Sequence, residues 1–327
     1  MTQLLAESTE MPVLIALDWG TSAMRGYALG AAGRVLDQRR SAHGIMNLPK
    51  AGALADSAAG FERALELLCG DWLRDYPQVP VLACGMVGSA QGWREAAYQD
   101  LPVRVDGLAA ALTVVTRAHG QPLHIVPGLI QWGALPNVMR GEETQIAGVL
   151  QRLAGQGALP ERLLIGLPGT HSKWARVESG LITEFKTFMT GEVFAALRQH
   201  TILGRTMVSG PNPDDAAFSR GLRVAGSPEG RAGVLSNLFS CRTLGLTGRL
   251  AAEAQADYLS GMLIGHEVFA LGRDFIEPGM SVVLCGEPDL CRRYAEALAI
   301  YELGTPGIHC DVTAAGLWRL ARDAALV

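Results

Sequence analysis

The sequence predicts an α/β protein of two domains, and three observations carry that expectation. Short apolar runs of strand type alternate with segments of helical period. The chain has 327 residues, more than a single hydrophobic core usually organises. A strand, a Gly-Thr turn and two further strands open the sequence and recur near its middle, the mark of an internal repeat.

The elements follow in order. Val13 to Asp18 is a continuous apolar run closed by Gly20. Met24 to Leu29 and Arg34 to Gln38 flank Gly30-Ala-Ala-Gly33, so three strands in two tight hairpins are expected. Phe61, Leu65, Leu68 and Trp72 fall at helical spacing before Pro77 and Pro80. Val81 to Cys84 is a short strand running into Gly85-Met-Val-Gly88, Leu123 to Val126 another, and Glu142 to Leu153 a helix.

The second half repeats the opening. Leu163 to Leu167, Lys173 to Val177 and Leu181 to Thr187 read as strands around Gly169-Thr170 and Ser179-Gly180. Setting Gly20-Thr21 on Gly169-Thr170, an offset of 149 residues, brings the hairpin glycines nearly into register. Helices are expected over Gly191 to His200, Asp214 to Leu222, Gly233 to Leu244 and Leu250 to Leu271. A buried strand, Ser281 to Cys285, leads through Gly286 to a helix over Leu290 to Ala299. Gly155-Gln-Gly-Ala158 before Leu159-Pro160 reads as a connector. The expected division is an N-terminal extension 1–12, a first domain 13–159 and a second domain 160–327.

Composition narrows the function. Hydrophobic residues make up 49% and charged ones 18%, the balance of a globular enzyme. With 28 Lys+Arg against 32 Asp+Glu, a net charge of −4, the basic excess of a nucleic-acid binder is missing. The longest apolar stretch, Ala256 to Gly272, is interrupted by His266 and Glu267, so no membrane span is expected. The first twelve residues carry Glu7 and Glu10 and no Lys or Arg, against a secretory signal, and cytoplasmic residence is the expectation. Six cysteines without a CxxC pair read as free thiols in a reducing compartment, not a zinc knuckle.

Several motifs are excluded by inspection. The only lysines, Lys50, Lys173 and Lys186, follow Pro, Ser and Phe, so no Walker A loop exists. His266-Glu267 lacks the second histidine of a zincin, and Ser89 lacks the glycine spacing of a nucleophile elbow. What remains is Asp18-Trp-Gly20-Thr21-Ser22 at a strand end. There a carboxylate faces a metal or its waters, glycine admits close backbone approach, and hydroxyl and N–H groups donate to phosphate oxygens. Its echo in Gly169-Thr170 suggests a second phosphate turn, so that one turn from each half would clasp a triphosphate.

Seven ordered motifs carry a resemblance. They are LDWGTS (Leu17 to Ser22), CGMVGSAQGWREAAY (Cys84 to Tyr98), VMRGEETQIAG (Val138 to Gly148), GLPGTHSKW (Gly166 to Trp174), FMTGEVFAAL (Phe188 to Leu197), LFSCRTL (Leu238 to Leu244) and YLSGMLIGHE (Tyr258 to Glu267). On these the chain resembles the sugar-kinase branch of the actin/Hsp70/hexokinase ATPase superfamily, and within it the 2-dehydro-3-deoxygalactonokinase family. The resemblance implies two RNase H-like, actin-like ATPase domains with an inter-domain cleft, the first on the sugar-acid side and the second on the ATP side. It implies ATP and Mg²⁺ as cofactors and phosphorylation of 2-dehydro-3-deoxy-D-galactonate at its terminal hydroxyl. A homodimer is the candidate assembly, with no nucleic-acid or membrane partner. The alternatives are a kinase of this fold for another sugar or sugar acid, and a non-catalytic nucleotide switch.

The resemblance also implies roles. Asp18, Gly20, Thr21 and Ser22 match the first phosphate motif, with Asp18 toward the metal, and Gly169 and Thr170 match the second, with Lys173 in reach of a phosphate. Gly286 matches the adenosine-side turn, although Glu287 stands where a second glycine is common. Leu167 replaces the acidic residue many relatives place before the second motif, which moves the catalytic carboxylate to Glu142 or Glu143. A carboxylate at that helix start can take the proton of the attacking hydroxyl. Glu142, directly after the glycine, is preferred, with the Glu-for-Asp exchange leaving both candidates open. For the sugar acid the candidates are Trp93, Glu95 and Tyr98, and for its carboxylate Arg25, Arg94 or Arg140.

Overall fold

The fold, taken from a computed structural model, is described for residues 10–50, 57–157 and 159–327. Residues 1–9 of the expected extension and Ala158 of the connector lie outside the described residues. Chain contacts define two compact units. Unit 1 holds Met1–Leu159, Gly180–Glu184 and Asp311–Val327; unit 2 holds Pro160–Ser179 and Phe185–Cys310. The sequence reading kept 160–327 together, whereas two of its segments pack with unit 1.

Unit 1 begins with β1 (Leu14–Trp19), β2 (Met24–Leu29) and β3 (Val35–Ser41), then α1 (Ser57–Asp75) and β4 (Val81–Cys84). It continues through β5 (Tyr98–Asp100), β6 (Val103–Arg104), α2 (Val105–Ala109), β7 (Thr113–Val115), β8 (Leu123–Ile125), β9 (Gly128–Gln131), β10 (Asn137–Met139) and α3 (Glu142–Gly155). The main sheet runs β3-β2-β1-β4-β8-β7, antiparallel from β3 to β1 and parallel from β1 through β4 to β8. The helical reading of α1 holds in its packing: Phe61, Leu65, Leu68 and Trp72 are buried against Trp19, Met24 and Val81. Val103 and Arg104 pair with Ile182 and Leu181, which ties that segment to unit 1.

Unit 2 contains β11 (Arg162–Leu167), β12 (Ser172–Glu178) and β13 (Leu181–Phe188), the last beginning in unit 1. After these come α4 (Thr190–His200), α5 (Asp215–Leu222), α6 (Val234–Asn237), α7 (Phe239–Leu246), α8 (Gln255–Asp274), β14 (Ser281–Cys285), α9 (Pro288–Ile300) and β15 (Gly307–His309). Its strands run β15-β14-β11-β12-β13, with β11, β14 and β15 parallel and β11-β12 antiparallel. This is the strand order of unit 1 with β11, β12, β13, β14 and β15 in the places of β1, β2, β3, β4 and β8. Two RNase H-like domains of one topology are therefore present. Two helices depart from the expected bounds. The helix read over Gly233 to Leu244 divides at Leu238, where Cys241 N–H donates to the Leu238 carbonyl three residues back. The helix read from Leu250 begins at Gln255, after a short 3₁₀ turn.

The chain ends in α10 (Thr313–Asp323), which returns to unit 1 and crosses α3. Glycines set how closely the two approach. A Cβ on Gly316 would lie 1.9 Å from the Thr144 carbonyl oxygen, and one on Gly148 2.1 Å from that of Val312. Gly316→Val is thus expected to push α10 off α3, with a loss of about 1–3 kcal/mol or more from overpacking. Urea unfolding should show the lower midpoint. An unchanged midpoint would mean that the crossing is not tight. Among the described residues no helix is long and apolar enough to cross a membrane, and none of the six cysteines is joined in a disulfide.

Candidate active site

In unit 1 the chemistry-bearing residues gather at the carboxyl ends of the parallel strands β1 and β4, where open α/β sheets bind ligands. Asp18 lies opposite Cys84 on β4 and Arg25 on β2. Arg25 Nε donates to Asp18 Oδ2 at 3.1 Å, and Arg25 Nη2 donates to the same oxygen. The Asp18 side chain keeps 20% exposure. After it the chain turns tightly, Gly20 N–H donating to the Ala23 carbonyl at 2.9 Å, and leaves Thr21 and Ser22 exposed.

Gly85 follows β4 with φ +91° and Gly141 precedes α3 with φ +108°, conformations that L side chains rarely adopt. A Cβ on Gly85 would lie 2.9 Å from the Trp19 carbonyl oxygen and 3.7 Å from Asp18 Oδ1. One on Gly141 would lie 3.3 Å from Gly85 Cα. Two glycines in contact therefore bring the first turn of α3 up to the strand end that bears Asp18. The sequence reading used Gly141 only as a landmark and gave Gly85 no role.

That first turn separates the two glutamates. Glu143 is fully buried; its Oε2 accepts the Gly141 N–H at 2.6 Å and its Oε1 the Thr144 hydroxyl at 3.0 Å. Glu142 is half-buried, and its Oε2 accepts the Arg140 N–H at 3.0 Å. Burial first, and the Glu142 charge second, push the Glu143 carboxyl from the usual 4.5 up to about 7, against the hydrogen bonds it accepts. The folded chain thus holds this proton more tightly than the unfolded chain. The stability it contributes is full below about 4.5 and is lost as pH rises to about 7. Denaturant unfolding at pH 5 and pH 8 should show a decline to which Glu143 adds on the order of 3 kcal/mol at most. Glu143→Gln should shrink that decline. An equal decline in the variant would remove Glu143 from the account.

The remaining unit 1 candidates divide. Trp93 stacks on Phe61 at 5.7 Å between ring centroids and meets Trp19 edge-on, so one of its faces serves the core. Arg94 and Glu95 are exposed. Arg140 lies over the Tyr98 ring at 4.4 Å and donates through Nη2 to the Ala96 carbonyl at 2.7 Å, while its buried Nε and Nη1 have no hydrogen-bond partner. Arg25 is engaged by Asp18, as above. Tyr98 and the approach to Arg140 come from a small sheet, β10-β9-β5, whose strands of three or four residues gave no sequence signal.

In unit 2 the β11–β12 turn carries Gly169 and Thr170. Open space lies where a Gly169 Cβ would stand, and Thr170 is exposed. The start of α4 closes on this turn: Glu192 N–H donates to the Thr170 carbonyl at 3.0 Å, and a Gly191 Cβ would lie 2.5 Å from the Gly169 oxygen. His171 pairs with Glu192 beside it. Lys173 points elsewhere. It alternates with Ser172 and Trp174 on β12, is 6% exposed, and donates to the Thr187 hydroxyl at 2.9 Å. Gly286 follows β14 next to this turn, where its Cβ would meet the Pro168 oxygen at 3.4 Å, and Glu287 caps α9 by accepting from Leu290 N–H.

A cavity of about 560 Å³ opens from the turn, lined by Gly169, Thr190, Asn212, Asp257, Ser260 and Arg293 among others. That is room for a nucleotide-sized ligand. Arg293 pairs with Asp257, donates to the Ser260 hydroxyl at 3.2 Å and lies over Phe218. The sequence reading reached this cavity only through Gly169 and the neighbouring Gly286, because its other walls come from helix faces and the Ser209–Pro213 loop.

Comparison with known proteins gives this arrangement a family. A 2-keto-3-deoxy-galactonokinase family model matches residues 18–320. A Rhizobium meliloti (strain 1021) protein bearing the name of 2-dehydro-3-deoxygalactonokinase is 36% identical over 313 residues, 94% of this chain and 96% of its own. The 2-dehydro-3-deoxygalactonokinase of Escherichia coli (strain K12) is 34% identical over 302 residues, 92% of this chain and 91% of its own. The crystal structure of a Sinorhizobium meliloti protein described by the same activity superposes with a TM-score of 0.82 at 32% identity, over 94% of this chain and 98% of that one. By fold, by motif and by these likenesses the chain belongs to the 2-keto-3-deoxy-galactonokinase family.

Proposed function

We propose that this chain transfers the γ-phosphoryl group of ATP to the terminal, C6 hydroxyl of 2-dehydro-3-deoxy-D-galactonate, in galactonate catabolism. The observation that carries the reading is the first turn of α3. There Glu143 spends both oxygens on Gly141 and Thr144, and half-buried Glu142 is presented beside the glycine contact that leads to Asp18. Glu142 takes the proton of the C6 hydroxyl as its oxygen bonds to the γ-phosphorus. The bond from that phosphorus to the β–γ bridging oxygen breaks, and ADP leaves.

The donor chemistry fits Mg²⁺ carried on the nucleotide. Among the described residues no cluster of three or more metal-ligating side chains exists, and Mg²⁺ on ATP needs only one or two protein carboxylates beside its waters and phosphates. Asp18 is that carboxylate: both Arg25 donors fall on Oδ2, and Oδ1 lies toward Gly85. When bound, the ion neutralises charge on the β- and γ-phosphates. Gly20 and Thr21 in unit 1, and Gly169 and Thr170 in unit 2, offer backbone and hydroxyl donors to phosphate oxygens. The unit 2 cavity takes the nucleoside.

For the 2-oxo carboxylate, Arg140 is favoured over Arg25, which Asp18 engages, and over Arg94, which is exposed, because its Nε and Nη1 are buried donors without a hydrogen-bond partner. Arg140→Lys keeps the charge and loses the planar fork. It is expected to raise the KM for the sugar acid about tenfold or more, the scale of one charge-assisted hydrogen bond, with little change in the KM for ATP. Equal KM values in the variant would return the role to Arg25 or Arg94. The reaction itself is tested by ADP release against a panel of sugar acids that includes the gluconate epimer. Release indifferent to the acid would indicate a nucleotide switch instead of a kinase.

A further inference from the structure

Unit 2 buries a carboxylate that the mechanism above does not use. Glu267, on α8, is 3% exposed. Trp174 Nε1 of β12 donates to its Oε1 at 2.7 Å; the Tyr294 hydroxyl of α9 donates to its Oε2 at 2.8 Å, and the Thr190 hydroxyl of α4 donates to the same oxygen. The Ser172 and Tyr294 hydroxyls are 2.8 Å apart. With the Tyr294 proton directed to Glu267, Ser172 is the donor to Tyr294, and every polar hydrogen in the group has one acceptor. Burial pushes the carboxyl up to about 7 against these donors. Tyr294 is the titratable group that faces it. Lys173 turns to Thr187 on the other face of β12, and His266 on the same helix turns to Asn237.

The position of this group matters more than its burial. Thr190 is the first residue of α4, and Thr190, Gly191 and Tyr294 line the cavity together with Gly169. Gly191 and Glu192 press directly on the Gly169–Thr170 turn, through the 2.5 Å Cβ approach and the 3.0 Å hydrogen bond already described. Unbroken contacts therefore lead from Glu267 through Thr190 and the α4 start to the turn. We infer that Glu267 is a positioning residue for the nucleotide: by holding the Thr190 hydroxyl it fixes the start of α4 against the Gly169–Thr170 turn, and so sets nucleotide affinity without touching the ligand. This rests on the reading of the unit 2 cavity as the nucleotide site.

Two changes break the same bond from opposite ends. Glu267→Gln places an amide among three donors, and Thr190→Val removes the hydroxyl with little change of shape. Thr190→Ser restores the hydroxyl without the methyl. ADP affinity of the full chain, measured by calorimetry, reads positioning without catalysis, and thermal melting checks that each variant is folded. Glu267→Gln and Thr190→Val should each weaken ADP about tenfold and raise the KM for ATP equally. The KM for the sugar acid should stay within about twofold, on the scale of one hydrogen bond. Thr190→Ser should return most of the affinity. A folded Thr190→Val that binds ADP like the parent overturns the inference, as does a Thr190→Ser as weak as Thr190→Val. Ala256→Trp, which fills the cavity wall, separates this from the reading beneath it. If Ala256→Trp abolishes ADP binding while Thr190→Val does not, the positioning role alone falls. If Ala256→Trp leaves ADP binding intact, the cavity is not the nucleotide site and the inference falls with it.

Discussion

Asp18→Asn is expected to lower kcat with Mg²⁺-ATP by about 10²-fold or more while the fold persists. The expectation follows from what the side chain does and does not support. Asn keeps the shape of the β1 end, so the β1–β2 and β1–β4 register, which is built on backbone bonds, is unaffected. What is lost is a negative charge. In phosphoryl transfer catalysis is nearly all positioning and electrostatics, so one misplaced or missing charge near the phosphates is costly. The charge also holds Arg25, whose side chain is 34% exposed, so that pair is partly screened by water and contributes little to stability. Thermal melting should therefore move little while turnover collapses. Arg25→Gln makes the complementary control: it removes the competing cation and leaves Asp18 charged, so a loss as deep as that of Asp18→Asn would assign the effect to the ion pair. Normal turnover in Asp18→Asn, measured at saturating Mg²⁺-ATP, would remove Asp18 from the phosphate site.

The strand hairpins were legible in the sequence because they depend on local signals. Apolar runs, glycine turns and proline stops specify β1 to β4 and β11 to β14, and their recurrence reveals the duplicated topology. The features that were not legible depend on contacts distant in sequence. Strands β5, β9 and β10 are three or four residues long and take their structure from pairing, which leaves no period to detect. Helix α10 has the composition of any amphipathic helix; only Gly316 meeting Thr144 and Gly148 meeting Val312 show that it belongs with α3. Site residues follow the same division. Of the residues proposed for the site, Asp18, Gly169 and the Glu142–Glu143 pair stand at strand ends, turns and a helix start that the sequence itself marks. Trp93 and Lys173 read as ligand groups by their type, yet Phe61 stacks on the first and Thr187 accepts from the second. Glu267 was part of a recognised motif, but its three donors come from three other elements, and no spacing rule links them.

The two glutamates of α3 provide the sharpest test of the chemistry. Adjacent positions on a helix differ by about 100°, so both side chains cannot address one hydroxyl. The structure separates their surroundings accordingly: Glu143 is sealed inside with both oxygens accepting local donors, and Glu142 is half-buried at the helix start. If Glu142 is the base, Glu142→Gln should lower the single-turnover rate at saturating ATP by roughly 10²- to 10⁴-fold, the usual contribution of a positioned general base. The sugar-acid KM should change much less, because the amide can still hydrogen-bond the C6 hydroxyl. Glu143→Gln loses no group that reaches a substrate. Its amide oxygen can keep the Gly141 N–H bond, so the start of α3 stays in place and the rate should fall by less than about tenfold, the loss of one neutral hydrogen bond. The pH behaviour separates the pair further, since Glu143→Gln should flatten the stability decline between pH 5 and 8. A slow Glu143→Gln beside a fast Glu142→Gln would move the base one residue along the helix. Two fast variants would take the proton acceptor out of α3 altogether.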